Sequence, residues 1–392
     1  MDPVLNPYVP GAGTPPPELA GRAAILESAR IALARMKAGR PTQSLILVGL
    51  RGVGKTVLLV RLKDMAQENG YKSIFVEAHE DKTLPELIIP SLRQILFSIN
   101  AIENAKDKAK RGLRVLKSFV NGLKISIGDL DVGLTIDAEV GTGDSGDLEA
   151  DLAELFVAIG EAAKASNTPI LLLIDELQYL SEQEFSALIM ALHRTTQQNL
   201  PFFLIGAGLP QILALAGESK SYSERLFQFP QIGALERADA ISAIVNPAVS
   251  EDVTYTAEAI EEILKVTDRY PYFLQQWGHE SWNVSIGPVI EINDIKLATA
   301  SAIRTLDSSF FRVRFDRCTP SEKRYLRALA ELGPGPQRSG DIADKLGLKT
   351  TSVGPTRSKL IIKGMIYAPQ HGDTAFTVPL FDAYMRRAMP NF

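Results

Sequence analysis

The chain carries one cysteine, Cys318, and four histidines among its 392 residues. A lone thiol closes no internal disulfide, and so few soft ligands leave no structural zinc site at metal spacing. Any metal is expected to be a magnesium ion arriving with a nucleotide. No stretch reaches the roughly 18 uninterrupted apolar residues that a membrane span needs. Met1-Asp2-Pro3 lacks the basic start and apolar run of a secretory signal, so the expectation is a cytoplasmic protein. A composition 45% hydrophobic and 22% charged excludes disorder for most of the chain. At about 150 residues per domain it predicts two or three domains.

Acidic residues are scarce at one end. Residues 308–392 hold fourteen Lys and Arg against seven Asp and Glu, a surplus of +7 that leaves −11 on residues 1–307. A basic module on an acidic body is the pattern expected where one end meets nucleic acid, and a solvated basic face is the other reading of the same charge.

Six prolines fall within residues 1–17, which predicts an extended arm or strap, because proline removes the amide donors of a helix. Residues 19–36 have helical spacing. Residues 43–48 form a short apolar run ending at glycine, and similar runs at 73–77, 170–174 and 202–205 are separated by helix-length amphipathic segments. Apolar strands alternating with helices predict a parallel sheet covered on both faces.

Two segments interrupt this plan. Residues 101–124 read as a basic helix (Lys106, Lys108, Lys110, Arg111, Arg114, Lys117). Residues 125–140 alternate, with a phase slip at Gly128-Asp129 that predicts a turn or bulge. A flexible Gly141–Gly146 stretch is expected to close the insert, which reads as a packing decoration or as a probe for DNA or a partner. Residues 236–305 have a wholly helical pattern. Helices are then expected at 321–332, 339–346 and 352–363, followed by a two-stranded wing around His371-Gly372-Asp373, the composition of a winged helix-turn-helix.

Gly49-Leu50-Arg51-Gly52-Val53-Gly54-Lys55-Thr56 matches G-x-x-x-x-G-K-[ST] in full, between a predicted strand and a predicted helix that continues at Val57. Glycines let successive backbone amides curl around phosphates at a helix N-terminus. In such a loop Lys55 reaches the β- and γ-phosphates of ATP and the Thr56 hydroxyl ligates Mg2+. The apolar run 170–174 then delivers Asp175 and Glu176 at its C-terminal end. This pair suits γ-phosphoryl transfer: Asp175 to hold magnesium through water, Glu176 to orient and polarise the attacking water. Together these residues predict hydrolysis as well as binding.

With these motifs the chain resembles the AAA+ class of P-loop ATPases. More narrowly it is similar to the branch of origin-recognition, archaeal-type and STAND ATPases that joins an ATPase core, a helical lid and a winged helix. The resemblance implies an α/β P-loop core over residues 19–235, carrying the insert at 101–146, behind a proline-rich arm at 1–18. It further implies an all-helical lid at 236–307 and a winged helix at 308–392. Leu19-Ala20-Gly21-Arg22 looks like the Gly-Arg box that opens these proteins and implies that Arg22 lies near the adenine, although Ala23-Ala24-Ile25 stands where glutamates usually follow. Arg225 occupies the place of an arginine finger acting on a neighbouring subunit's nucleotide in a homo-oligomer; a surface pair with Glu224 or Glu218 is the alternative. Asp268-Arg269-Tyr270-Pro271 is similar to the lid motif whose proline, here Pro271, approaches the nucleotide, with Arg269 a loose match to a sensor arginine. The strand at 202–205 runs into Gly206-Ala207-Gly208, where the class usually has a polar sensor residue, and this implies a slow switch.

The third helix of the basic module has no acid between Thr350 and Met365. As a recognition helix it would bring Thr351, Ser352, Thr356 and Arg357 to groove edges and phosphates. Lys359 and Lys363 would add phosphate contacts, with Lys345 and Lys349 on the flanks. Pro355 is expected in its first turn, where a missing amide costs little. The leading expectation is an ATP-dependent switch whose winged helix engages duplex DNA. The competing expectations are a STAND-like sensor that docks a protein and a target-selecting or loader ATPase assembled on DNA.

Overall fold

The structure, a computed structural model, describes residues 1–11, 13–123, 137–219 and 223–391. Two compact units divide the chain: residues 24–48 with 58–231, and residues 1–23 with 49–57 and 232–392.

The first unit is built on α1 (Ala23–Lys37), β1 (Ser44–Val48), α2 (Lys55–Glu68), β2 (Lys72–Glu77), α3 (Leu84–Asn100), α4 (Lys106–Leu123), α5 (Leu148–Ala165), β3 (Ile170–Asp175), α6 (Glu182–Gln197), β4 (Phe202–Gly208), α7 (Ile212–Ser219), α8 (Ser223–Leu226) and β5 (Phe227–Gln228). The five strands pair in parallel in the order β2-β3-β4-β1-β5. β1, β3 and β4 are buried at every residue, as strands with helices on both faces must be. The register aligns their carboxyl ends: Val48 pairs with Gly208, Ile174 with Gly206 and Asp175 with Glu77. That edge is where open parallel α/β sheets bind ligands.

Reciprocal caps fix where helices begin. Thr83 and Glu86 open α3, and Ser181 and Glu184 open α6. Glu184 also accepts the Leu84 amide at 2.6 Å, so one carboxylate serves two helix starts. The basic helix α4 buries its apolar face, with Leu113, Leu116 and Phe119 fully enclosed. Its cations are engaged at home: Lys108 and Arg111 reach Glu161 at 2.8 and 3.1 Å, and Arg111 and Arg114 reach Glu139 at 3.1 and 3.6 Å. The β element expected at 125–140 lies outside the described residues up to 136. The glycine stretch after it is not loose: Gly141, Gly143 and Gly146 donate their amides to the carboxylates of Asp144, Glu154 and Asp151.

The second unit continues with α9 (Arg237–Val249), β6 (Thr254–Tyr255), α10 (Ala257–Thr267), α11 (Pro271–Val284), β7 (Val289–Ile290), α12 (Ile292–Thr305), a π-helical turn (Leu306–Phe311), α13 (Arg312–Asp316), α14 (Pro320–Glu331), β8 (Gln337–Arg338), α15 (Ser339–Leu346), α16 (Thr350–Ile362), β9 (Ile366–Tyr367), β10 (Asp373–Phe376) and α17 (Phe381–Ala388). Several details differ from the sequence expectation. The segment expected to be wholly helical contains a short parallel pair, β6 with β7, where two loops run side by side over buried Ile290. The two-stranded pairing expected around His371 is part of a three-stranded sheet of order β8-β10-β9. Pro355 sits in the second turn of α16, because that helix begins at Thr350; it therefore has no amide to give to the Thr351 carbonyl.

The proline-rich arm is a strap, extended apart from one 3-10 turn at Pro3–Leu5. Trp282 Nε1 donates to the Asp2 carbonyl at 2.8 Å, and Asn6 Nδ2 donates to the His279 carbonyl and to Asn283 at 3.1 and 3.0 Å. Tyr8, only 2% exposed, donates its hydroxyl to the Ile244 carbonyl and accepts from Tyr255.

Candidate nucleotide-binding and catalytic site

The loop 49–56 leaves β1 at the carboxyl edge of the sheet and ends in the first turn of α2. Gly49 has no room for a side chain, since a Cβ would stand 2.1 Å from the Ile232 carbonyl oxygen. Gly52 has φ +81°, and a Cβ there would crowd the ring atoms of Tyr270 and Tyr272. These two glycines keep the backbone of the cradle tight and clear. Lys55 is buried, with Nζ donating to the carbonyls of Gly49 and Leu50 at 2.8 and 2.9 Å. Its ammonium thus stands inside the curl of the loop. Val53 is buried, whereas Leu50, Arg51, Gly54, Thr56 and Val57 are half-buried.

Three neighbours brace this loop within its own unit. Arg22, buried, donates to the carbonyls of Val53 and Gly233 at 3.2 and 2.7 Å. Burial lowers its pKa from the ordinary arginine value, and nearby Asp239 acts in the opposite direction. Pro271 occupies the first turn of α11, flanked by two tyrosines that touch the loop: Tyr270 donates its hydroxyl to the Arg51 carbonyl at 2.5 Å, and the Tyr272 amide donates to the Gly52 carbonyl at 3.2 Å. Burial and the neighbouring Tyr367 push the Tyr270 phenol well above the usual tyrosine range. The third brace is the Arg51 amide, which donates to the carbonyl of Thr377 at 3.2 Å.

Asp175 and Glu176 belong to the other unit, at the end of β3. Asp175 is buried and accepts the Glu176 amide at 2.8 Å. Glu176 is half-buried, sits at φ +54°, and accepts from Gln178 Nε2. A non-glycine residue in left-handed backbone is uncommon and invites a functional reading. By their chemistry alone, the Thr56 hydroxyl and the Asp175 carboxylate are each hard oxygen donors of the kind magnesium takes beside phosphate. Arg225 is exposed on α8, where its carbonyl accepts Gln43 Nε2 at 2.9 Å. Arg269 is half-buried with φ +57°, and its carbonyl accepts the Leu235 amide at 3.0 Å.

Comparison with known families agrees with this geometry. Residues 18–205 match the AAA ATPase domain family. Residues 18–205 are an AAA+ P-loop ATPase domain. Residues 308–385 of the ATPase match a second family, described as a domain of unknown function (DUF8462). No curated protein sequence gives a significant match. Among solved structures, the Walker-type ATPase PABY2304 of Pyrococcus abyssi is 16% identical, with a TM-score of 0.58 over 95% of this chain and 97% of that one. Its likeness extends the shared fold along nearly the whole ATPase. The Orc1 protein of Aeropyrum pernix in complex with DNA is 15% identical, with a TM-score of 0.47 over 95% of this chain and 94% of that one. The RuvB Holliday junction branch migration motor of Thermotoga maritima is 14% identical, with a TM-score of 0.45 over 95% of each chain.

In the C-terminal part of the ATPase, Thr351, Ser352 and Lys359 on α16 are exposed, as are Lys345 and Lys349, and Thr356 is half-buried. The other two basic residues expected at phosphates have internal partners. Arg357 donates to Thr374 Oγ1 at 2.8 Å and to the Asp373 carbonyl at 2.7 Å, tying α16 to β10. Lys363 donates to Glu322 at 2.7 Å and to the Arg317 carbonyl at 3.1 Å. Sequence spacing gave no sign of this, because the acceptors lie 16 or more residues away. Sequence reasoning also missed Gln178, Tyr270 and Thr377. Only the adjacency of Gln178 to the Asp175-Glu176 pair, and of Tyr270 to Pro271, could have flagged any of the three.

Proposed function

We propose that this AAA+ ATPase is an ATP-dependent molecular switch whose nucleotide state controls its C-terminal module, a winged helix that engages duplex DNA. The observation that carries the reading is the bond from the Arg51 amide to the Thr377 carbonyl, since it joins the phosphate loop to the strand-bearing end of that module. A phosphate in the loop competes for loop amides, so nucleotide and the module act on the same group. A stack of rings adds a second link. Tyr272 stacks on Phe310 at 4.6 Å, Phe310 meets Phe311 at 5.3 Å, and Phe311 meets Phe381 and Tyr384 of the module at 5.7 and 5.3 Å.

In this reading Lys55 would hold the nucleotide's phosphates, Thr56 and Asp175 would hold the magnesium ion, and Glu176 would act as the base toward the attacking water. Bound magnesium supplies neutralisation of phosphate charge. Arg22 and Pro271 shape the loop side of the nucleotide pocket. Arg225, exposed, would reach a neighbouring copy's γ-phosphate in a homo-oligomer. Without a polar side chain on Gly206-Ala207-Gly208, turnover would be slow. No helix among the described residues is long and apolar enough to cross a membrane, and the proposed place of action is the cytoplasm.

A second reading, in which the module docks a protein, is favoured by one observation: Arg357 and Lys363 serve internal contacts. The experiment that separates the two is binding of the full-length protein to duplex DNA with ADP, with a non-hydrolysable ATP analogue and without nucleotide, over a salt series. Nucleotide-dependent, salt-sensitive affinity supports the DNA switch. Absence of binding in every state at low salt rejects it.

A further inference from the structure

Gln178 stands in the short turn Leu177–Tyr179 that follows β3, half-buried and two residues beyond Glu176. Its amide makes bonds at both ends. The backbone N–H of Leu209 donates to Oε1 at 3.0 Å, and Nε2 donates to a carboxylate oxygen of Glu176. The first bond fixes the orientation of the second, because a backbone N–H can only donate and must therefore meet the oxygen end of the amide. Glu176 is thereby joined to a chain of bonds that begins at the end of β4. The same residue gives its own amide to Asp175.

β4 ends in Gly206-Ala207-Gly208 and offers no polar side chain there. The space is already used: a Cβ on Gly208 would stand 3.2 Å from Gln178 Oε1. The left-handed backbone of Glu176 turns the chain sharply after β3, and the turn brings Gln178 over that glycine.

We propose that Gln178 is a positioning residue for hydrolysis: it holds the Glu176 carboxylate in line for the attacking water and ties it to the end of β4, supplying from the β3 turn the polar group that β4 lacks. The inference rests on Glu176 as the residue that activates water. Gln178 itself touches neither water nor phosphate in this role. Its amide donates to a carboxylate oxygen, a bond that is stronger when the acceptor is ionised and so favours the form that acts as a base.

The test uses the full-length protein with magnesium ATP and three variants, Gln178→Ala, Gln178→Glu and Glu176→Gln. It measures nucleotide affinity, KM, kcat, melting temperature and the pH dependence of kcat. Gln178→Ala is expected to lower kcat about tenfold or more, with KM and nucleotide affinity within about twofold, since only the aim of the base is lost. Gln178→Glu is nearly isosteric and keeps an oxygen for Leu209. It places a second carboxylate beside Glu176, and the repulsion should move the acid limb of the kcat profile upward by about one pH unit. Wild-type turnover in Glu176→Gln would sink the underlying reading of the site. With Glu176→Gln inactive, wild-type kcat and an unmoved pH profile in Gln178→Glu would overturn the role of Gln178 alone. A fall in kcat matched by an equal fall in nucleotide affinity or by unfolding in both Gln178 variants would mark a structural residue and overturn it as well.

Discussion

The backbone amide of Arg51 donates to the carbonyl of Thr377 at 3.2 Å, while the Thr377 hydroxyl donates to the carbonyls of Gly364 and Met365 at 2.6 and 3.1 Å. One residue of the C-terminal module is thus anchored at its side chain and engaged with the phosphate loop at its backbone. Tyr270 holds the next peptide of the loop through the Arg51 carbonyl. Tyr270→Phe should cost about 1 kcal/mol of stability, the net worth of a hydrogen bond, read by urea denaturation without nucleotide. If the loop must leave this arrangement to bind phosphate, affinity for magnesium ATP should rise by up to about fivefold, the equivalent of that energy. A stability loss with unchanged affinity would mean that the brace and nucleotide binding are independent.

Ligation and water activation are assigned to different residues, so their loss should look different. Lys55→Ala should abolish ATP binding. Glu176→Gln should bind ATP as tightly as the parent and trap it, with single-turnover hydrolysis slowed by about a hundredfold or more. Equilibrium binding with a fluorescent ATP analogue, followed by single-turnover chemistry, separates the two. Unchanged hydrolysis in Glu176→Gln would refute its assignment.

The sheet and the places of the two candidate site motifs at its strand ends are legible because they are local in sequence. A strand buried on both faces is a run of apolar residues, as at Ile170 to Ile174, and a phosphate loop is eight consecutive residues from Gly49 to Thr56. What escaped depends on distant neighbours. The fate of Arg357 is decided by β10 and that of Lys363 by the cap of α14, neither visible in helical spacing. The third strand of the C-terminal sheet, β8, is two residues long and exists through its pairing of Arg338 with Asp373 and Gln337 with Thr374. The glycine stretch before α5 looked loose because its composition is, yet carboxylates from Asp151 and Glu154 hold its amides.

If Arg225 acts on a neighbour's nucleotide, Arg225→Ala should leave ATP affinity nearly intact and remove any rise of specific activity with protein concentration. Mixing supplies the sharper test. Lys55→Ala subunits retain Arg225, and Arg225→Ala subunits retain the phosphate loop, so a co-assembled mixture should recover activity that neither protein has alone. Association without recovery, shown by sedimentation of the mixture, would exclude a finger acting between subunits.

Lys363 and Glu322 should report on the fold of the C-terminal module through pH. Burial alone would raise the pKa of Glu322, but the bond from Lys363 and the Thr319 amide outweigh it and hold the carboxyl below the ordinary range. A depressed carboxylate pKa contributes stability that is present above about pH 4.3, the unfolded value, and is lost as pH falls through the lower folded value. Lys363→Met should therefore destabilise the protein by about 1 to 3 kcal/mol near neutral pH, leaving a buried charge without its cation. The difference should shrink below about pH 4. Thermal melts of the two proteins between pH 3 and about pH 8 would show it, and a gap independent of pH would rule out the ion pair as its cause.

The DNA reading now rests on different cations from those the charge pattern alone selects. Lys345, Lys349 and Lys359 are exposed, whereas Arg357 and Lys363 are tied to β10 and α14. Each phosphate neutralised by the protein releases condensed counterion, so the log-log slope of affinity against salt counts the contacts at about 0.9 each. Replacing Lys345, Lys349 and Lys359 with glutamine in the full-length protein should flatten that slope by two to three units if all three meet phosphates, with the melting temperature unchanged. Arg357→Gln should do the reverse. It removes bonds to Thr374 and Asp373 inside the module, lowering stability while leaving the slope nearly as it was. Thr351 and Ser352 are exposed at the start of α16; if they meet base edges, alanine there should weaken binding to a preferred sequence more than to others. Equal slopes in the triple variant and the parent would show that these lysines do not meet DNA, and the exposed start of α16 would then be read as a surface for a protein partner.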